Sequence, residues 1–151
     1  WSDGGHWDYA TATIKLKDSR LIAELAQAGE AGRLALLNQL GDEAAAWLRP
    51  HLLQALQNFE QVFLLMHPPP FREACLYGTA VADDNWAPHF TCKAVGDLLE
   101  ELMPLYPQTR LKVLAGHTHN PCDIGVLPNL RVQVGAAEYG APALAACFDV
   151  V

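Results

Sequence analysis

The sequence predicts an α/β protein in which a mixed β-sheet is layered with helices. Three observations carry that expectation. Residues 42–59, "DEAAAWLRPHLLQALQNF", set apolar side chains at helical spacing. Residues 62–66 are an apolar run stopped by His67 and three prolines, which fits a buried strand because proline cannot continue a ladder. The last third carries four strand-like runs separated by turn residues. Helices alternate with strands early and strands dominate late, a pattern that favours a mixed sheet over a doubly wound parallel one. With 151 residues, 51% of them hydrophobic, the chain suits a single domain with its own core, spanning 1–151.

Taken in order, the opening "WSDGGHWDY" is rich in turn residues and reads as a loop. From Thr11, "TATIKLKDSRLIAELA" alternates apolar and polar residues around Asp18 and Ser19, which predicts two strands joined by a tight turn. Gly29 and Gly32 mark a linker. The helix over 42–59 contains Pro50, which predicts a break or kink. After His67 a polar connection, "REACLYGTAVADDNWAP", leads to a helix over about 89–106, closed by Pro107. "RLKVLAG", "CDIGVLP", "LRVQVGAAEYG" and "ALAACFDVV" are the late strands. The sequence has neither an internal repeat nor a low-complexity tract.

Ten Lys and Arg against seventeen Asp and Glu give a net charge of -7, which repels a phosphate backbone and argues against non-specific nucleic-acid binding. A single phosphate ester could still be bound where cations supply a local positive field. Cys75, Cys92, Cys122 and Cys147 stand far apart with no CxxC pair, which suits reduced thiols in a cytoplasmic protein better than a disulfide framework or zinc knuckle. No run of eighteen apolar residues argues for a membrane span, and no signal-peptide pattern opens the chain. The first residue is Trp1 rather than Met, so a longer parent polypeptide is expected.

The chemistry concentrates in histidines. His67 follows "VFLLM", and His117 and His119 follow "LKVLA", so all three fall at carboxyl ends of strands, where open α/β sheets place their sites. Histidines two apart in an extended segment face one side, and Gly116 just before them would let the backbone approach a ligand closely. Three imidazoles make a partial metal site; they lack the carboxylates that bridge and neutralise two divalent ions. A loop or core role is the competing reading for each. His51 belongs to a helix surface, His89 to a helix start explained by caps and solvent, and His6 to a glycine loop. Asp83 and Asp84 suit a solvated helix entrance, Glu138 a turn, and the cysteines buried structural thiols.

"LLMHPPPF" followed some fifty residues later by "AGHTHNP" resembles the C-terminal half of the calcineurin-like metallophosphoesterases. In that family an Asp-x-His, a Gly-Asp-x-x-Asp and a Gly-Asn-His precede a lone His and a Gly-His-x-His. The lone histidine looks like His67, and the last motif looks like Gly116, His117, Thr118 and His119. "DSRLIAELA", "DDNWAPHFTCKAVGDLL" and "LPNLRVQVGAAEYG" extend the likeness over most of the chain. The resemblance implies the C-terminal half of a four-layer αββα sandwich. It also implies two divalent ions, Mn, Fe, Zn or Co, with His67 and His117 on one and His119 on the other. Two such ions clamp phosphoryl oxygens and activate water for in-line attack.

The first three motifs are absent from residues 1–151, and the two Gly-Asp pairs, at 41–42 and 96–97, lie in helical patterns. The expectation is therefore a metal-dependent phosphoesterase of which this chain supplies the metal-ligand histidines. Alone it would bind at most one ion weakly and turn over little. Its substrate would be a small-molecule or protein phosphate ester. A second expectation is a non-catalytic half-domain that dimerises or binds a partner, because a sheet without its neighbour exposes an apolar face or an edge. That surface would be covered by a second copy or by the segment carrying the missing motifs. A third is a mononuclear metal-binding protein using His67, His117 and His119.

Overall fold

Residues 2–3, 12–14 and 16–148 are described by a computed structural model, residues 30 and 31 by their backbone alone. The predicted hairpin around Asp18 is replaced by two short helices, α1 (Asp18–Leu21) and α2 (Ala23–Gln27), with residues 11 and 15 outside the described set. The predicted linker is also helical: Gly29 and Gly32 open a 30-residue helix, α3 (Gly29–Asn58), which starts well before position 42. Pro50 lies inside α3 without ending it. Proline removes one rung of the helical ladder; beside it the His51 ring packs on Trp47 at 4.3 Å and brings Nδ1 to 2.7 Å from the Trp47 carbonyl. Extended backbone at Phe59 closes the helix.

Strand β1 (Gln61–Leu65) follows, as its apolar run predicts. The polar connection after His67 holds a hairpin that the sequence reading passed over, β2 (Leu76–Tyr77) and β3 (Ala80–Val81). The single helix expected over 89–106 is divided into α4 (Ala87–Phe90), α5 (Lys93–Leu102) and a 3-10 turn at Met103–Leu105. Strands β4 (Arg110–Ala115), β5 (Cys122–Leu127) and β6 (Leu130–Val134) complete the sheet. The described part of the fourth late strand is irregular, since residues 141–148 have no regular structure, and 149–151 lie outside the described residues.

The sheet order is β1-β4-β6-β5, with β1, β4 and β6 parallel and β5 antiparallel to β6. The fold is thus a mixed sheet with helices, as expected. Alternation assigns its faces. Val62, Leu111, Val113, Leu130, Val132 and Val134 point into a core with Leu48, Leu52 and Leu56 of α3 and Val95, Leu98, Leu99 and Leu102 of α5. The 48-52-56 spacing is one stripe of a helix. On the other face Phe63 meets Phe148 at 5.9 Å and the Lys112 ammonium lies 4.2 Å from the Phe148 ring, so the segment after β6 crosses part of the sheet. Leu65 at the edge remains 74% exposed. No described helix is long and apolar enough to cross a membrane.

Candidate metal centre

Strand register brings two of the three predicted histidines, His67 and His117, together. Leu65 pairs with Leu114 across β1 and β4, and the pairing continues beyond the strands through Met66 N–H to the Leu114 carbonyl at 3.1 Å and Gly116 N–H to the His67 carbonyl at 2.9 Å. His67 therefore stands level with Gly116, and His117 is the next residue. Their rings meet edge to face at 4.8 Å, with His67 Nε2 and His117 Nδ1 3.1 Å apart.

The loop carrying the pair is bent rather than extended. His117 and His119 have φ of 69° and 60°, and they are the only non-glycine residues with positive φ among those described. The Thr118 N–H donates to the Gly116 carbonyl at 2.8 Å, the bond of a γ-turn centred on His117, whose positive-φ form is rare and strained. Strain of this kind persists where the surroundings over-determine it, and it clusters at functional sites. Here Asn120 supplies the restraint, donating to the carbonyls of Thr118 at 2.8 Å and Leu76 at 3.1 Å. Gly116 itself is not sterically required, since a Cβ there would meet only ordinary contacts at 3.8 Å and beyond.

His89 is not the solvated helix-start residue the sequence suggested. It lies in the last turn of α4 with 5% exposure, and its carbonyl oxygen sits 3.0 Å from His117 Nε2. The helix break supplies that carbonyl. In an unbroken helix it would accept from the Lys93 N–H, but that N–H donates to Asp3 Oδ1 at 3.0 Å. His117 thus donates from Nε2, which leaves the Nδ1 lone pair turned to His67. Burial pushes the His117 pKa down, and the neighbouring His67 and His119 add to this against the opposing pull of the His89 carbonyl and Asp18. Burial lowers His89 as well. A neutral imidazole with one nitrogen fixed by a backbone carbonyl is the form in which histidine binds metals.

The pair fits part of a metal site. Two nitrogens at about 2.0–2.1 Å from one ion stand about 2.9 Å apart at a right angle and about 3.4 Å apart at the tetrahedral angle, and 3.1 Å lies between. A pocket of about 120 Å³ beside them is lined by Ser2, Asp18, Pro68 and the two histidines; Asp18 is a neighbour that the sequence reading did not single out. His119 packs instead against Tyr139 at 4.7 Å. Among the described residues no group of three or more histidine, cysteine or carboxylate side chains is arranged to hold an ion. A larger groove of about 480 Å³ opens at the opposite end of the parallel strands, lined by residues such as Arg110 and Asn129, and carries no histidine.

The other candidates fall largely as read. His51 is exposed on α3, and Glu138 accepts a turn hydrogen bond from Ala141. Asp83 Oδ1 accepts from the Asn85 and Trp86 N–H groups in the turn ahead of α4, while Asp84 pairs with Arg72. Cys75 and Cys92 are buried, but Cys122 is half-buried and Cys147 exposed. His6 lies outside the described residues. No protein-family model, curated protein or solved structure matches the chain.

Proposed function

We propose that this chain contributes histidine ligands to a metal-dependent phosphoesterase centre. The observation that carries the reading is the relay from the His89 carbonyl through His117 to His67, which sets two imidazole nitrogens 3.1 Å apart at the ends of neighbouring strands. His67 and His117 would hold one divalent ion, drawn from Mn, Fe, Zn or Co, and His119 would reach toward a second. Such ions stabilise charge on phosphoryl oxygens and lower the pKa of an attacking water. The chain's own part is to hold and orient the imidazoles. Residues 1–151 contain no Asp-x-His, Gly-Asp-x-x-Asp or Gly-Asn-His, so the remaining ligands of a two-ion centre would come from elsewhere and this chain alone would turn over little. In this reading the four-stranded sheet is one of two in an αββα sandwich, in a reducing, cytoplasmic setting where the four free cysteines stay reduced.

Titration of the chain with Co²⁺, followed by its visible absorption and by calorimetry, tests the reading. One ion should bind weakly, and His117→Ala or His67→Ala should remove the signal, whereas His51→Ala should not. A cobalt spectrum indifferent to His117→Ala would falsify the assignment. The exposed Leu65 at the sheet edge supports a second reading, a non-catalytic module that dimerises or binds a partner through that face. Sedimentation showing a tight dimer without metal binding would favour it.

A further inference from the structure

We infer that the pocket beside His117 and His119 is a subsite for a planar aromatic ring on the alcohol side of the phosphate ester. The ester rests on the phosphoesterase reading; the ring rests on geometry. The pocket measures about 190 Å³ and is lined by Tyr77, Trp86, Phe90 and Tyr139 together with His117 and His119. Ligand pockets for larger organic molecules run to about 300–1,000 Å³, so this one suits a single ring system.

Its wall is a continuous series of rings. Tyr77 stacks on Trp86 at 5.0 Å and 15°, Trp86 meets Phe90 at 5.6 Å, and Phe90 meets His117 at 4.8 Å. Tyr139 adds a further ring through His119 at 4.7 Å. Two members of this set give little to the core: Tyr77 is 65% exposed and Tyr139 is 90% exposed. Asn120 stitches the β2–β3 hairpin to the histidine loop through the Leu76 carbonyl, which holds the walls in place before any ligand arrives. Among the described residues no Asp, Glu, Lys or Arg lines the pocket, so these walls offer stacking and neutral hydrogen bonds rather than charge. A ring seated there borders both histidines, which sets its phosphate beside the candidate metal position. A nucleobase and a phenyl group share this chemistry.

Saturation-transfer NMR on the whole chain with AMP, phenyl phosphate and ribose 5-phosphate, each with and without Mn²⁺, tests the inference. Base or phenyl protons should receive saturation even without Mn²⁺, and ribose 5-phosphate should show none. Tyr139→Ala and Tyr77→Ala, both at exposed positions, should weaken ring binding by about tenfold, the usual loss on removing a stacked aromatic. AMP bound more tightly than phenyl phosphate would mark a nucleotide site, and the reverse an aryl ester. Equal affinity for all three compounds, or ring binding unchanged in both tyrosine variants, would overturn the proposal. Ring binding in a chain that binds no Mn²⁺ would uphold the pocket and remove the phosphoesterase reading; Mn²⁺ binding with no ring preference would do the reverse.

Discussion

At the scale of single residues, Gly96 shows how one missing methyl sets the position of a candidate ligand. A Cβ there would stand 2.3 Å from the Pro70 carbonyl oxygen, and that carbonyl belongs to the proline run that follows His67. Gly96→Ala should destabilise the fold by about 1–3 kcal/mol, the usual cost of overpacking, and should weaken Co²⁺ binding by shifting His67; chemical denaturation and the cobalt titration check the two effects. Gly41 is similar, since its Cβ would fall 2.3 Å from Asp3 Cβ. His67, His117 and His119 were legible as residue types at strand ends, because "HPPP" and "GHTH" interrupt apolar runs. The left-handed backbone at both loop histidines was not, because neither has the local signature that glycine gives such a position. Nor was the role of His89, which acts through a carbonyl that every residue possesses.

Among the elements, α5 is instructive because nothing next to it in sequence caps it. Cys92 makes no side-chain cap bond; instead Asp3, with no solvent exposure, accepts from the Lys93 N–H at 3.0 Å and the Ala94 N–H at 2.7 Å. A carboxylate at a helix N-terminus satisfies orphan donors and complements the dipole. Asp3→Ala should cost about 1–3 kcal/mol, read as a lower midpoint in urea, and the release of Lys93 N–H should loosen the His89–His117 bond, read as broadened His117 ring signals by NMR. Strands β1, β4, β5 and β6 were legible because each apolar run is bounded by Pro, Gly or Asn. The start of α3 was not. Gly29 and Gly32 signal a loop locally, yet Leu37 and Gly41 stand four apart and Leu48, seven further on, takes up the same face with Leu52 and Leu56, all buried, and tertiary packing overrides weak propensity. The division of 89–106 was invisible for the same reason, since the cap that replaces the helical bonds comes from a distant position.

For the molecule as a whole, the two buried thiols report on global unfolding. Burial pushes the Cys75 thiol up to about 12 and Cys92 up to about 11, from an ordinary 9.0. At pH 8 their thiolate fractions are about 10⁻⁴ and 10⁻³, so a thiol reagent should label exposed Cys147 first, Cys122 more slowly, and the buried pair only on unfolding. Their raised pKa values also carry a sign. Between pH 9 and about 12 the folded state holds more protons than the unfolded one, so this contribution is complete below pH 9 and fades as pH rises toward the folded values. Thermal melts should therefore fall above pH 9, and Cys75→Ala should flatten that slope. The attachment of Asp3 to α5 has a consequence for synthesis. Its partners lie 90 and 91 positions later, so at about 5–20 residues per second the carboxylate is synthesised roughly 5–18 s before the backbone it caps. Until then the carboxylate is without those two N–H groups, and any fragment that lacks position 3 starts α5 with a weaker cap.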